Sequence, residues 1–192
     1  MKRAILLFSS CLLWALPFTA KAQERGDVSV FGGYSHRWNA NAIHGWNASL
    51  PGNVTNHMAL VADFSGYYWS DSYAASSYQS EYQSRNYSFL FGPRYVHTIQ
   101  KRWTPFAHAL VGLERDTGEG WYSIGSTRTF YGPSSSHMLA LAFGGGIDIR
   151  VSNRISVRAL QLDGVGLESQ GFWGYYLRAS FGAVIHLRKA PR

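Results

Sequence analysis

The stretch Leu139–Arg150 and its return Ile155–Leu162 constrain the fold more than any other part of the chain. Taken at every second residue, the first arm reads Leu139, Leu141, Phe143, Gly145, Ile147 and Ile149. The interleaved set is Ala140, Ala142, Gly144, Gly146, Asp148 and Arg150. Successive side chains of a strand point to opposite faces, so one face is apolar and the other is small, then charged. Val151-Ser-Asn-Arg154 is a short polar turn that suits a hairpin. About a dozen residues is long for an ordinary strand and right for one that crosses a bilayer at a tilt. The remaining chain is read for repeats of this unit.

The N-terminus carries a basic start, Met1-Lys2-Arg3, an apolar run from Ala4 to Phe18, and small residues at Ala20 and Ala22. This is the pattern of a secretory signal peptide, residues 1–22, with cleavage before Gln23 and a barrel domain at 23–192. The single cysteine, Cys11, lies inside that segment, so the exported part would hold neither disulfide nor thiolate metal site. The formal charge of +7 includes Lys2, Arg3 and Lys21. What remains is modest and forms no basic cluster interleaved with aromatics, which argues against a nucleic-acid partner. Charged residues are 15% and aromatics 16%, with 20 glycines. That is poor helix material and good material for a membrane barrel with aromatic girdles. No segment after the signal reaches 18 consecutive apolar residues, so no later transmembrane helix is expected.

Eight strands are predicted, at about Asp27–Arg37, Ile43–Leu50, Met58–Trp69, Asn86–His97, Trp103–Arg115, Leu139–Arg150, Ile155–Leu162 and Trp173–Leu187. Pro93 is unfavourable inside a strand and suggests a bulge there. The connections after strands two, four and six are short, and those after three and five are long. Ser70–Arg85 and Asp116–Ser136 have no apolar period and read as long loops, while Asp163–Gln170 carries strand seven into a shorter one. An even number of strands with short turns at one end and long loops at the other is the pattern of an outer-membrane barrel. The predicted class is all-β: an eight-stranded antiparallel up-and-down transmembrane β-barrel. Tyr67, Tyr68, Trp69, Tyr87, Trp121, Tyr122, Phe172, Trp173 and Tyr175 would form one interfacial girdle, with Trp103 and Phe106 near the opposite rim.

The polar phase of several strands carries charge: Asp63, Arg94, Asp148, Arg158 and Arg178, with Glu114 and Asp163 as further candidates. The interior of an eight-stranded barrel is just wide enough for side chains. These residues are therefore expected to pair inside the lumen, as a structural network that leaves no wide pore. Arg158 and Asp163, five residues apart, can share a face only across a bulge.

These residues now support a resemblance. Through Val30-Phe-Gly-Gly-Tyr-Ser35, Phe89-Leu-Phe-Gly-Pro-Arg-Tyr95, Pro105-Phe106 with Gly112, Gly144-Gly-Gly-Ile-Asp148 and the closing strand, the chain resembles the bacterial outer-membrane β-barrel domain family and is similar to the small transmembrane domain of outer-membrane protein A. The resemblance spans essentially the whole exported chain. It implies a porin-like architecture in the outer membrane of a Gram-negative bacterium, contact with outer-membrane lipid, and recognition by the barrel assembly machinery. It implies no activity. Such barrels usually end on an aromatic residue; here Gly182-Ala-Val-Ile-His-Leu187 resembles that end signal with Leu187 in its place and five residues beyond it.

Catalytic, cofactor and metal sites are not expected. The seven histidines, His36, His44, His57, His97, His108, His137 and His186, show no i, i+2 or i, i+4 pair. Gly144-Gly-Gly146 does not open a helix, so it is no phosphate loop. Two alternatives remain at this stage. One is a lipid A-modifying barrel enzyme using Asp71-Ser72 with His36 or His44, since a serine nucleophile needs a base within hydrogen-bond reach. The other is a secreted soluble eight-stranded ligand carrier with its apolar faces turned inward. The leading expectation is an integral barrel with a structural or surface-interaction role, with residues 70–85 and 116–136 as the contact surface for an external ligand.

Overall fold

The computed structural model describes residues 28–38, 42–100 and 102–187. The predicted signal peptide lies outside the described residues. Eight strands follow in order: β1 (Ser29–Trp38), β2 (Ala42–Asn53), β3 (Met58–Ala75), β4 (Tyr78–Val96), β5 (Trp103–Ile124), β6 (Thr127–Arg150), β7 (Ile155–Ser169) and β8 (Phe172–His186). Each pairs antiparallel with its sequence neighbour, and β8 pairs with β1 to close the ring. Closure satisfies the backbone donors and acceptors of the wall without help from water, as a structure that crosses lipid must. No described helix is long and apolar enough to cross a membrane.

The alternation sorts the side chains inside out. Phe143 and Leu177 are 63% and 61% exposed, whereas Arg158 and Arg178 are 0% exposed. Phe64, Phe89, Phe91, Val111, Leu113, Leu162, Phe181 and Ile185 continue the outward apolar surface. An exposed surface of this kind is costly in water and favourable against lipid chains. The soluble-carrier arrangement, with apolar faces inward, is not the one observed.

Four features depart from the sequence reading or refine it. First, residues 70–85 and 116–136 are not loops. They are the far ends of β3, β4, β5 and β6, which stay paired out to Ala75 opposite Tyr78 and Ile124 opposite Thr127, with one register shift between Gly118 and Gly120. Because both faces of this extension meet solvent, it needs no apolar period, and its Tyr, Thr and Trp residues favour strands on their own account. The extension is a four-stranded sheet; Trp69–Ala75 and Thr127–Met138 pair on one side only, since β2 stops opposite Tyr68 and β7 opposite Leu139.

Second, no bulge occurs at Pro93. Phe91 faces Val111 and Arg94 faces His108, so the β4–β5 register is the same on either side and only the rungs between are lost. Pro93 points outward and the missing donor is tolerated locally. Third, the bulge needed in β7 is present. The β7–β8 register shifts between Arg158 and Gln161, and Ala159 and Leu160 both face outward. This re-phases the strand, so that Arg158 and Asp163 both enter the lumen. Fourth, two residues assigned to the girdles point inward: Tyr67 is 1% and Phe106 6% exposed. Their lumen phase was readable from Asp63 and Ser65 on β3, and from the small outward residues Ala107 and Ala109 on β5.

Glycine has a definite role where strands β1 and β8 meet. Gly33 and Gly182 are directly opposed, and a Cβ on Gly33 would lie 2.1 Å from the Phe181 carbonyl oxygen. Only the absence of a side chain permits this approach.

Candidate functional site

The inward faces of the strands build a stack of charged tiers. Nearest the external sheet, Arg37 of β1 donates to Glu114 of β5 at 2.8 Å, and the Tyr176 hydroxyl of β8 donates to the other carboxylate oxygen at 2.9 Å. The Arg37 guanidinium also lies 3.8 Å from the centre of the Tyr176 ring. The tier below centres on Arg178. Its Nη1 donates to Asp63 at 2.9 Å, its Nε donates to Asp163 at 2.8 Å, and Nη2 lies 2.7 Å from the same Asp163 oxygen. Asn47 donates to Asp63 at 3.0 Å and Gln161 to Asp163 at 2.7 Å. All three charged side chains of this tier are 0% exposed.

In the third tier, Arg158 forms a two-pronged pair with Asp148, Nε to Oδ1 at 2.8 Å and Nη2 to Oδ2 at 3.1 Å. Its remaining nitrogen donates to Gln161 Oε1 at 2.7 Å, so Gln161 joins the second tier to the third. The guanidinium is flanked by Phe31 at 4.1 Å and Phe106 at 4.5 Å. Arg94 also lies over Phe106, at 4.3 Å, and approaches His108 Nδ1 at 3.4 Å. His108 Nε2 lies 2.7 Å from Asp163 Oδ1. An arginine has no acceptor, so His108 accepts at Nδ1 and donates its Nε2 proton to Asp163. The imidazole thus links Arg94 to the central tier.

Asp63, Arg94, Asp148, Arg158 and Arg178, all singled out in the sequence, are brought together here, along with Glu114 and Asp163. The sequence reading missed Arg37, His108, Gln161 and Tyr176. Arg37 shares the phase of Phe31, Gly33 and Ser35, so alternation alone could have found it. His108 lies among alanines, where the two faces of β5 look alike in sequence.

The other histidines lie apart from these tiers. His186 bonds Ser156 at 2.9 Å near the turn end of the lumen. His57 and His97 stack with centres 6.2 Å apart beside the β2–β3 turn. His137 is exposed on the outer sheet, and His36 and His44 face outward from β1 and β2. Asp71 and Ser72 lie on the β3 extension opposite Tyr82 and Glu81. As neighbours in a strand they point to opposite faces, and no hydrogen bond among the described residues ties either to a histidine.

No family model and no curated protein matches the chain. Solved structures do. The attachment invasion locus protein Ail of Yersinia pestis, in complex with the heparin analogue sucrose octasulfate, aligns with a TM-score of 0.58 at 14% identity, covering 85% of this chain and 99% of Ail. Ail without that molecule gives 0.54 at 15% identity over the same shares. The outer membrane protein OprG of Pseudomonas aeruginosa gives 0.51 at 6% identity, covering 88% of this chain and 99% of OprG. At these identities the likeness concerns architecture: the chain has the fold of the small eight-stranded barrels of the bacterial outer membrane.

Proposed function

We propose that the protein is an integral outer-membrane barrel with a structural or surface-interaction role, a largely filled lumen and no enzymatic activity. The observation that carries this is the pairing of Arg37, Arg158 and Arg178 with Glu114, Asp148, Asp63 and Asp163 across the interior, behind a wall whose outward residues are apolar. Charges taken out of water cost several kcal/mol each unless paired, so the network holds the wall together from within and occupies the space a solute would need. Outer-membrane lipid is the partner of the wall. A groove of about 690 Å³ runs over the outward glycines Gly164 and Gly166, between Phe143 on one side and Trp173 and Leu177 on the other, and suits an acyl chain. The barrel assembly machinery would insert the chain, and the four-stranded external sheet, residues 70–85 and 116–136, would meet any external ligand.

The test has two arms. Detergent-dependent extraction from outer-membrane fractions, with gel mobility that changes on boiling, is the expected behaviour; recovery as a soluble periplasmic protein would overturn the reading. In planar bilayers the folded protein should show no wide-pore conductance, and a stable, large open state would remove the filled lumen.

A further inference from the structure

We propose that Tyr34, His36 and His44 form a site for one divalent transition-metal ion on the outer wall of the barrel, at the external girdle, where it ties β1 to β2. His36 and His44 are directly opposed across the hairpin, and their ring centres are 4.9 Å apart. Tyr34, two residues before His36 on the same face, directs its hydroxyl to both rings. It lies 3.4 Å from His36 Nδ1 and is hydrogen-bonded to His44 Nδ1. The phenol oxygen therefore sits between two imidazole nitrogens. A tetrahedral cation bound at 2.0–2.1 Å holds its donors about 3.3 Å apart. The Tyr34–His36 spacing already matches this; His44, which lies closer to the phenol, would draw back to admit the ion, and the phenol would release its proton to water.

The Tyr34 hydroxyl and His44 Nδ1 share a hydrogen bond in which either can donate; an ion bound there takes His44 as neutral imidazole through the Nδ1 lone pair. The setting also fixes the rings. Trp38 contacts His36 edge to face at 4.4 Å, and Phe181 packs on Tyr34 at 5.3 Å. The site lies at the level where headgroups and water meet the wall, since His44 is opposite Tyr68, whose hydroxyl bonds that of Tyr87 at 3.1 Å. Nitrogen-rich donors with one oxygen suit copper(II) or zinc(II), with water completing the shell. The histidines are eight apart, a separation that means nothing along a chain and puts them face to face once β1 and β2 pair antiparallel.

The experiment uses the folded barrel without its signal peptide, in detergent micelles, titrated with copper(II) and followed by electron paramagnetic resonance, and with zinc(II) by calorimetry. The expected result is one saturable equivalent with hyperfine coupling to two imidazole nitrogens. His44→Ala should reduce coupling to one nitrogen and weaken binding by more than about a hundredfold, beyond what the loss of a supporting residue costs. His36→Gln is the independent variant should His44→Ala fail to fold, as judged by heat-modifiable mobility. Saturating zinc should raise the unfolding midpoint of the parent and not of either variant. The double variant His57→Ala/His97→Ala, which removes the rival histidine pair, should bind as the parent does. The proposal is overturned by the absence of saturable binding, by binding unchanged in the His44 and His36 variants, or by binding that the double variant abolishes.

Discussion

Removing Arg178 should damage this barrel more than removing any surface charge. Arg178→Met keeps most of the side-chain volume and deletes the cation that two carboxylates share. Asp163 retains His108 and Gln161, but Asp63 is left with Asn47 alone, and its Oδ2 already has no hydrogen-bond partner. Both acids are fully buried. Removing one partner of a buried pair costs about 3–5 kcal/mol, and sharing by two acids places this case at the upper end. Adding Asp63→Asn removes the worse-served charge and places a neutral amide beside Asn47, so the double variant should recover roughly 1–3 kcal/mol, a coupling typical of residues in contact. Urea unfolding in lipid vesicles, followed by tryptophan fluorescence, measures both. The reasoning fails if Arg178→Met costs less than about 1 kcal/mol, a value ordinary for an exposed pair. It fails equally if the two substitutions add without coupling.

Two further predictions concern the strands themselves. Deleting Ala159 leaves Arg158 and Asp163 four residues apart, so both keep the lumen face of a strand that now alternates regularly against β6 and β8; the variant should fold with heat-modifiable mobility and lose less than about 2 kcal/mol in urea unfolding, and failure to fold would show that the bulge does more than set the phase. Replacing residues 71–82 and 119–133 each with an Asn-Gly turn should leave folding intact and stability within roughly 1 kcal/mol, because the excised residues are largely solvent-exposed and touch no lumen tier; loss of heat-modifiable mobility would contradict this.

The parts of this molecule that face two different media were legible in the sequence. Wherever one side of a strand meets lipid and the other meets buried charge, as in Leu139–Arg150 or Tyr175–Leu187, alternation reports the phase, the strand and the inward arginines together. Alternation disappears where the contrast between the two media vanishes. Both faces of the extended β3–β6 sheet meet water, so its strands passed for loops. Tyr67 and Phe106 are aromatic yet inward, because a guanidinium such as Arg37 or Arg94 offers an aromatic ring a partner that hydropathy does not register. Pro93 suggested a bulge because a lost donor is the visible effect of proline, whereas keeping register depends on rungs above and below it. The His36–His44 pairing is a property of the register and has no signature at helical or strand spacing.

Beyond the wall, β3 to β6 stay paired with one register shift at Gly118 and Gly120. From Thr127 to Met138, β6 alone runs about 40 Å past the last rung it shares with β7, at about 3.3 Å per residue. β1, β2, β7 and β8 stop near the girdle. The molecule therefore carries a stiff post on one side of its mouth and a low sill on the other, and it has a front and a back in the plane of the membrane. A tethered loop would have to be ordered by whatever it touched. The post holds its tyrosines at a set height and bearing before contact, so a partner arriving from that side encounters a surface whose ordering entropy was already spent in folding.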